Sequence, residues 1–125
     1  MKKKGKGGVF MADRLRYSLT IRLYGEDKIF GPGIAELLEH VDRLHSLRKA
    51  AMEMGMAYSK AWTIIKKAEE YLSFPLLIST TGGKGGGGAQ LSEQGRRFLK
   101  AYRAFEDTVK IYADDVFEDL FGQDS

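Results

Sequence analysis

The sequence contains no cysteine, so neither a disulfide framework nor a thiolate metal site is open to it, and its fold must rest on packing alone. It also lacks any apolar run near the roughly 20 residues that a membrane-spanning helix needs. The basic start, Met1 to Gly8, is followed by no apolar segment and does not read as a secretory signal. Histidine is scarce: His40 and His45 are five apart, which puts them on different sides of a helix, and no metal site is expected. No convergent pair of carboxylates and no activated nucleophile can be placed in a cleft, so neither an enzyme nor a cofactor is expected. Together these absences predict a soluble cytoplasmic protein without membrane association.

What is present is a chain of 125 residues, 43% of them hydrophobic, enough to bury one modest core. The net charge of +3 is mild but unevenly spread. Lys2, Lys3, Lys4 and Lys6 open the chain, while Glu106, Asp107, Asp114, Asp115, Glu118, Asp119 and Asp124 crowd its end. A polyanion would be drawn to the head and centre and repelled by the C-terminal end. Residues 1–13, rich in lysine and glycine, read as a flexible basic arm, either a solvated tail or a segment that tracks phosphates; Met11 offers an alternative start. Residues 14–121 read as one folded domain and 122–125 as a tail.

From Leu15 to Tyr24 apolar and polar residues alternate, the period of a half-buried strand. Gly25-Glu26-Asp27 can turn the chain and Lys28-Ile29-Phe30 can return as the second strand of a hairpin. Behind Pro32, a favourable first-turn residue, Ile34, Leu37, Leu38, Val41 and Leu44 recur at helical spacing. Ser46 can cap a short second helix carrying Leu47, Ala50, Ala51 and Met54 inward, and Gly55 can end it in a left-handed conformation. A third helix is expected from about Tyr58 to Leu72, with Ala61, Ile64, Ile65, Ala68 and Leu72 on one side and Ser59, Lys60, Thr63, Lys66, Lys67 and Glu70 on the other. Trp62 reads as a packed core aromatic that anchors this helix to the hairpin.

Pro75 stops the helix, Leu76-Leu77-Ile78 reads as a strand, and Ala89 to Leu91 can return beside it across a tip that is almost all glycine with one lysine, Lys84. Ser92 can cap a long last helix, about residues 92–121, in which Tyr102, Phe105, Val109, Tyr112 and Val116 follow coiled-coil spacing; Phe98 extends that seam. Such a seam calls for a homodimer. The expected fold is α+β: a winged helix-turn-helix with an N-terminal β-hairpin, a glycine-rich wing and a long C-terminal dimerisation helix. In that arrangement the third helix enters a DNA major groove, and its hydroxyls and lysines can reach base edges and phosphates. A lysine-rich helix face can also be merely solvated. Gly83, Gly85 and Gly88 satisfy the dinucleotide fingerprint, but no parallel strand with an acidic residue follows, and Lys84 precedes Gly85 where a Walker loop needs Ser or Thr.

The stretches Phe30-Gly31-Pro32-Gly33, Ala35-Glu36-Leu37-Leu38 and Gly55-Met56-Ala57-Tyr58-Ser59-Lys60-Ala61-Trp62 resemble the LysR-like DNA-binding domain of ModE-type molybdate-responsive transcription regulators. Thr81-Gly82-Gly83-Lys84-Gly85-Gly86-Gly87-Gly88-Ala89, with Leu91-Ser92 and Gly95, is the most specific part of that resemblance, which runs from about residue 15 to 105. It implies a homodimer on a palindromic operator, with Tyr58, Ser59, Lys60 and Thr63 opening the reading helix and Lys84 at the wing. Ser46 and Arg48 at the second helix, with Lys66 and Lys67 on the third, complete the expected DNA contacts. His45-Ser46 stands where relatives carry Gly-Ser, and Leu91-Ser92 where they carry Leu-Thr. Molybdate-sensing relatives bind the oxyanion through C-terminal domains, whereas this sequence ends at Ser125. The expectation is therefore a standalone regulator of molybdate- or tungstate-related or other metabolic genes, any signal reaching it through a separate sensor protein. The competing expectation is a winged helix that only recruits a protein partner.

Overall fold

Helix α1, Pro32–Leu44, begins at a proline whose missing N–H costs nothing at a first turn. It presents Ile34, Ala35, Leu37, Leu38 and Val41 as one buried face. His45 ends it in the left-handed region, φ 59°, with its N–H donating to the Val41 carbonyl. The computed structural model describes residues 15–80 and 87–122. Before α1 lie the short antiparallel strands β1, Leu23–Tyr24, and β2, Lys28–Phe30. After it come α2, Leu47–Glu53, and α3, Tyr58–Leu72, then the antiparallel pair β3, Leu77–Thr80, and β4, Gly88–Leu91. Helix α4, Glu93–Phe121, closes the order. The architecture is α+β, as the sequence patterning implies.

The chain divides into two compact units, residues 20–102 and a second made of residues 1–19 with 103–125. In the first, Phe30, Leu37, Leu38, Val41, Ile65 and Leu76 are fully buried. Phe30 is met edge-on by Phe98 at 4.8 Å and by Tyr102 at 5.0 Å, and the Tyr102 hydroxyl donates to the Ile21 carbonyl at 2.7 Å. Ser92 anchors α4: its Oγ accepts from Gly95 N at 2.8 Å and donates to the Pro75 carbonyl at 2.5 Å. Gly95 lies so close to the β3 root that a Cβ there would stand 2.4 Å from the Leu76 carbonyl oxygen. Asp42 and Arg96 form a two-pronged pair at 2.9 and 3.2 Å between α1 and α4, and that carboxylate holds the guanidinium proton more tightly than usual.

The strand expected over Leu15 to Tyr24 is the main correction. Only Leu23–Tyr24 pairs, because β2 is three residues long before Gly31 and Pro32 and can offer no longer partner. The alternation begins ahead of the pairing, with Ile21 and Leu23 half-buried against Arg22 and Tyr24 exposed; Leu15 and Leu19 are exposed. In the second unit Tyr17 packs its ring 5.1 Å from Phe117 and donates its hydroxyl to Asp114, whose carboxyl is held below its ordinary range by that bond and then by Lys110. The same bond raises the Tyr17 phenol, since ionising it would set a second anion beside Asp114.

Candidate nucleic-acid interface

Helices α2 and α3 meet across a tight turn. Ser46 Oγ caps α2 by accepting from Lys49 N at 3.0 Å, Met56 N returns to the Ala51 carbonyl at 2.9 Å, and Gly55 occupies the left-handed region at φ 69°. Helix α3 then starts behind Ala57 with no side-chain cap, and the Ala57 carbonyl accepts from Lys60 N and Ala61 N, both at 3.1 Å. Ala61, Ile65 and Ala68 bury one stripe of α3. Opposite it stand Ser59 and Thr63, exposed, at about 160° and 200° around the axis from Ala61.

The two flanks of α3 differ in what they face. On one, Tyr58, Trp62, Ile65, Lys66 and Glu69 line a groove of about 660 Å³ whose far walls are the α1–α2 junction, Leu44 to Lys49 with Met52, and the wing strands, Leu77 to Ser79 and Gly87 to Ala89. Arg48 lays its guanidinium 4.1 Å from the Tyr58 ring centre, joining α2 to α3. Lys66 stands 3.3 Å from Glu69 Oε1 and 5.6 Å from the Trp62 ring centre. Glu69 in turn accepts from Leu76 N at 2.7 Å and Leu77 N at 3.1 Å through its other oxygen, which ties the root of β3 to the helix. On the other flank, Lys67 is 3.7 Å from Asp27 in the β1–β2 turn.

The residues expected to contact DNA are thus sorted by position. Ser46, Arg48, Tyr58 and Lys66 line the groove, and Ser59, Lys60 and Thr63 are exposed along the first turns of α3. Lys67 points to the far flank and is paired there. Lys84 lies outside the described residues. Trp62 is a correction: it is 47% exposed and forms part of the groove wall, not the core. The signal that would have found it is angular, since Trp62 lies about 100° from Ala61 on the wheel, in line with Tyr58, Lys66 and Glu69. Met52, 70% exposed, and Lys49 also line the groove and carry no sequence signal of their own.

The expected dimer seam also divides. Tyr102 is 2% exposed and Phe98 packs on the same core, so both are taken up within the first unit because Phe30 needs aromatic neighbours there. Phe105, 49% exposed, and Tyr112, 71% exposed, remain open in the second unit, with Val109 and Val116 half-buried. Tyr112 and Val116 join Tyr17, Phe117, Leu120 and Phe121 around an apolar cleft of about 350 Å³. Leu120 in that lining and Ile111, on the other side of α4, are both largely exposed and fall outside the seam read from the sequence.

Among the described residues no group of three or more His, Cys, Asp or Glu could hold a metal ion, and no helix is long and apolar enough to cross a membrane. Residues 35–96 match the family model described as bacterial regulatory helix-turn-helix protein, lysR family. The chain is 36% identical over 84 residues to the molybdenum transport protein ModE of Azotobacter vinelandii, covering 67% of this chain and 31% of that protein. It is 35% identical over 85 residues to the DNA-binding transcriptional dual regulator ModE of Escherichia coli K12, covering 67% and 32%. To the molybdenum-pterin-binding protein MopB of Rhodobacter capsulatus it is 37% identical over 73 residues, covering 58% and 27%. The matched stretch spans about a third of the length of these curated relatives.

Proposed function

We propose that this chain, whose residues 35–96 form a helix-turn-helix domain of the bacterial regulatory lysR type, acts as a homodimeric transcription regulator that reads double-stranded DNA with α3. The observation that carries the reading is the exposed row Tyr58, Ser59, Lys60 and Thr63 at the start of α3, beside a basic groove that ends on the wing strands. Hydroxyls and lysines at a helix start can reach base edges, and a groove bearing Arg48, Lys49 and Lys66 attracts the phosphates alongside. Lys84, on the glycine-rich segment between β3 and β4, adds charge at the wing.

Dimerisation rests on the second unit. Phe105, Tyr112 and Leu120 expose large apolar side chains along one face of α4, and an apolar patch in water favours a partner that covers it. A two-fold pair would present two copies of α3 to a palindromic operator. The similarity to proteins named for molybdenum makes molybdate- or tungstate-related genes the first targets to try. Selection of bound duplexes from a random pool, followed by binding measured across a salt series, tests the reading. Sequence-selective binding that weakens steeply with salt is expected. A folded protein with no salt-dependent affinity for any duplex would instead favour a winged helix that recruits a protein partner.

A further inference from the structure

The groove between α3 and the wing holds a tryptophan whose placement needs a reason. Trp62 is 47% exposed on the groove wall, and its indole N–H has no acceptor among the described residues. Leaving so much apolar ring in water is unfavourable, and an indole is kept at a surface where its apolar face and polar N–H are used together. Its surroundings are set in place by the protein. Glu69, anchored by the Leu76 and Leu77 N–H groups, fixes Lys66, and Lys66 stands over the Trp62 ring. Arg48 and Lys49 line the same groove from α2. Glu69 is the one acidic side chain on this lining, and it is already satisfied by two N–H donors and one ammonium. The groove therefore presents net positive charge with a spare aromatic donor in its wall.

We propose that Trp62 is a DNA-backbone contact, its Nε1–H donating to a phosphate of the strand that runs between α3 and the wing while its ring packs on the adjoining sugar. The proposal rests on the DNA-binding reading above and adds to it a residue and a subsite. Position favours backbone over base. Trp62 lies about 100° from the buried stripe, on the flank toward the wing, whereas Ser59 and Thr63 occupy the crest of the helix. A side chain on that flank meets the wall of a major groove before its floor. Phosphate also suits the donor: an N–H bond to a charged oxygen is worth more than one to a neutral acceptor.

The chain contains one tryptophan, so its fluorescence reports on Trp62 alone. Duplex DNA titrated into the full chain should change the emission at the stoichiometry found by anisotropy of the labelled duplex, and should shield Trp62 from acrylamide quenching. Trp62→Phe keeps a ring and removes the N–H; because the site is exposed, this variant should fold with an unchanged circular dichroism spectrum. It should bind duplexes about tenfold more weakly, the measure of one hydrogen bond to a charged acceptor. Its slope of log affinity against log salt should stay as in the wild type, because no cation is removed, whereas Lys66→Ala should lower that slope. Duplex binding by anisotropy with Trp62 still open to acrylamide would overturn the proposal while leaving the DNA-binding reading intact. A weaker Trp62→Phe without shielding of Trp62 would overturn it too, since the side chain would then act from within the protein. Absence of any duplex binding would overturn both together.

Discussion

Gly88 lies directly against the His45 carbonyl: a Cβ on Gly88 would stand 2.6 Å from that oxygen and 2.9 Å from Thr80 Oγ1. The next residue, Ala89, donates its N–H to the same carbonyl at 3.1 Å. The wing is thereby seated on the α1–α2 junction, which His45 shapes by adopting φ 59°. Gly88→Ala should force the strand off this seat and cost about 1–3 kcal/mol, as overpacking against backbone does. Gly33→Ala is the control, since a Cβ there meets nothing within 4 Å. Inside α1 that change should stabilise by about 0.5–1 kcal/mol through the better helix former. Urea unfolding followed by circular dichroism measures both, and equal effects at the two positions would remove the special role given to Gly88.

Assembly is tested in the second unit. Phe105→Asp combined with Tyr112→Asp places charge on two exposed positions without touching the core around Phe30. Sedimentation should find wild type as a dimer and the double variant as a monomer with unchanged helix content. Wild type that is already monomeric at tens of micromolar, as an order of magnitude, would end the dimer reading.

Acid should loosen the link between α1 and α2. Glu53 accepts from Arg43 at 2.9 Å and stands 3.3 Å from His40 Nε2, and its carboxyl is lowered chiefly by the Arg43 bond. A folded value below the unfolded one means that the stabilisation is complete above the unfolded carboxyl range and is lost as pH falls through the folded value. Glu53→Gln should therefore be less stable than wild type at neutral pH and should converge on it in acid. A gap between the two that is constant across pH would show that the ion pair contributes nothing through its charge.

The reading helix and the wing should fail differently. Thr63→Ala or Lys60→Ala should weaken a selected operator by about 1–3 kcal/mol for each base-reading bond removed, and random duplex much less. Lys84→Ala should weaken all duplexes alike and lower the salt slope by about one for each phosphate left without its cation. Variants of both kinds that weaken equally on operator and random DNA would reduce α3 to a generic basic surface.

Much of this fold was legible because it is governed by neighbours in sequence. The spacing of Ala61, Ile65 and Ala68 marks α3, whose bounds Tyr58–Leu72 follow the pattern closely. The caps at Ser46 and Ser92 and the left-handed Gly55 are local chemistry of the same kind. The DNA-reading row follows from that helix once its buried stripe is fixed. Less legible were features that depend on what the chain meets far away. An alternating segment becomes a strand only where another edge is free to pair, and β2 is too short to pair with residues 15–22. Residue type misled at Trp62, where the apolar side chain suggested a core place that the helix angle does not give.

By itself, then, the sequence determined where helices begin and end, which stripe of each is buried, and which side chains head α3, since those follow from periodicity and capping within a few residues. Only the tertiary structure decided how the apolar residues of α4 are shared out. Tyr102 and Phe105 fit one heptad seam equally well, but Tyr102 is claimed by Phe30 and the Ile21 carbonyl while Phe105 is left open. The structure alone also set Trp62 opposite the wing strands, because the Glu69 bonds to Leu76 and Leu77 fix where β3 leaves the helix. Burial is a property of the neighbours a side chain finds in space, and a heptad pattern carries no record of which of its members will be taken into the chain's own core.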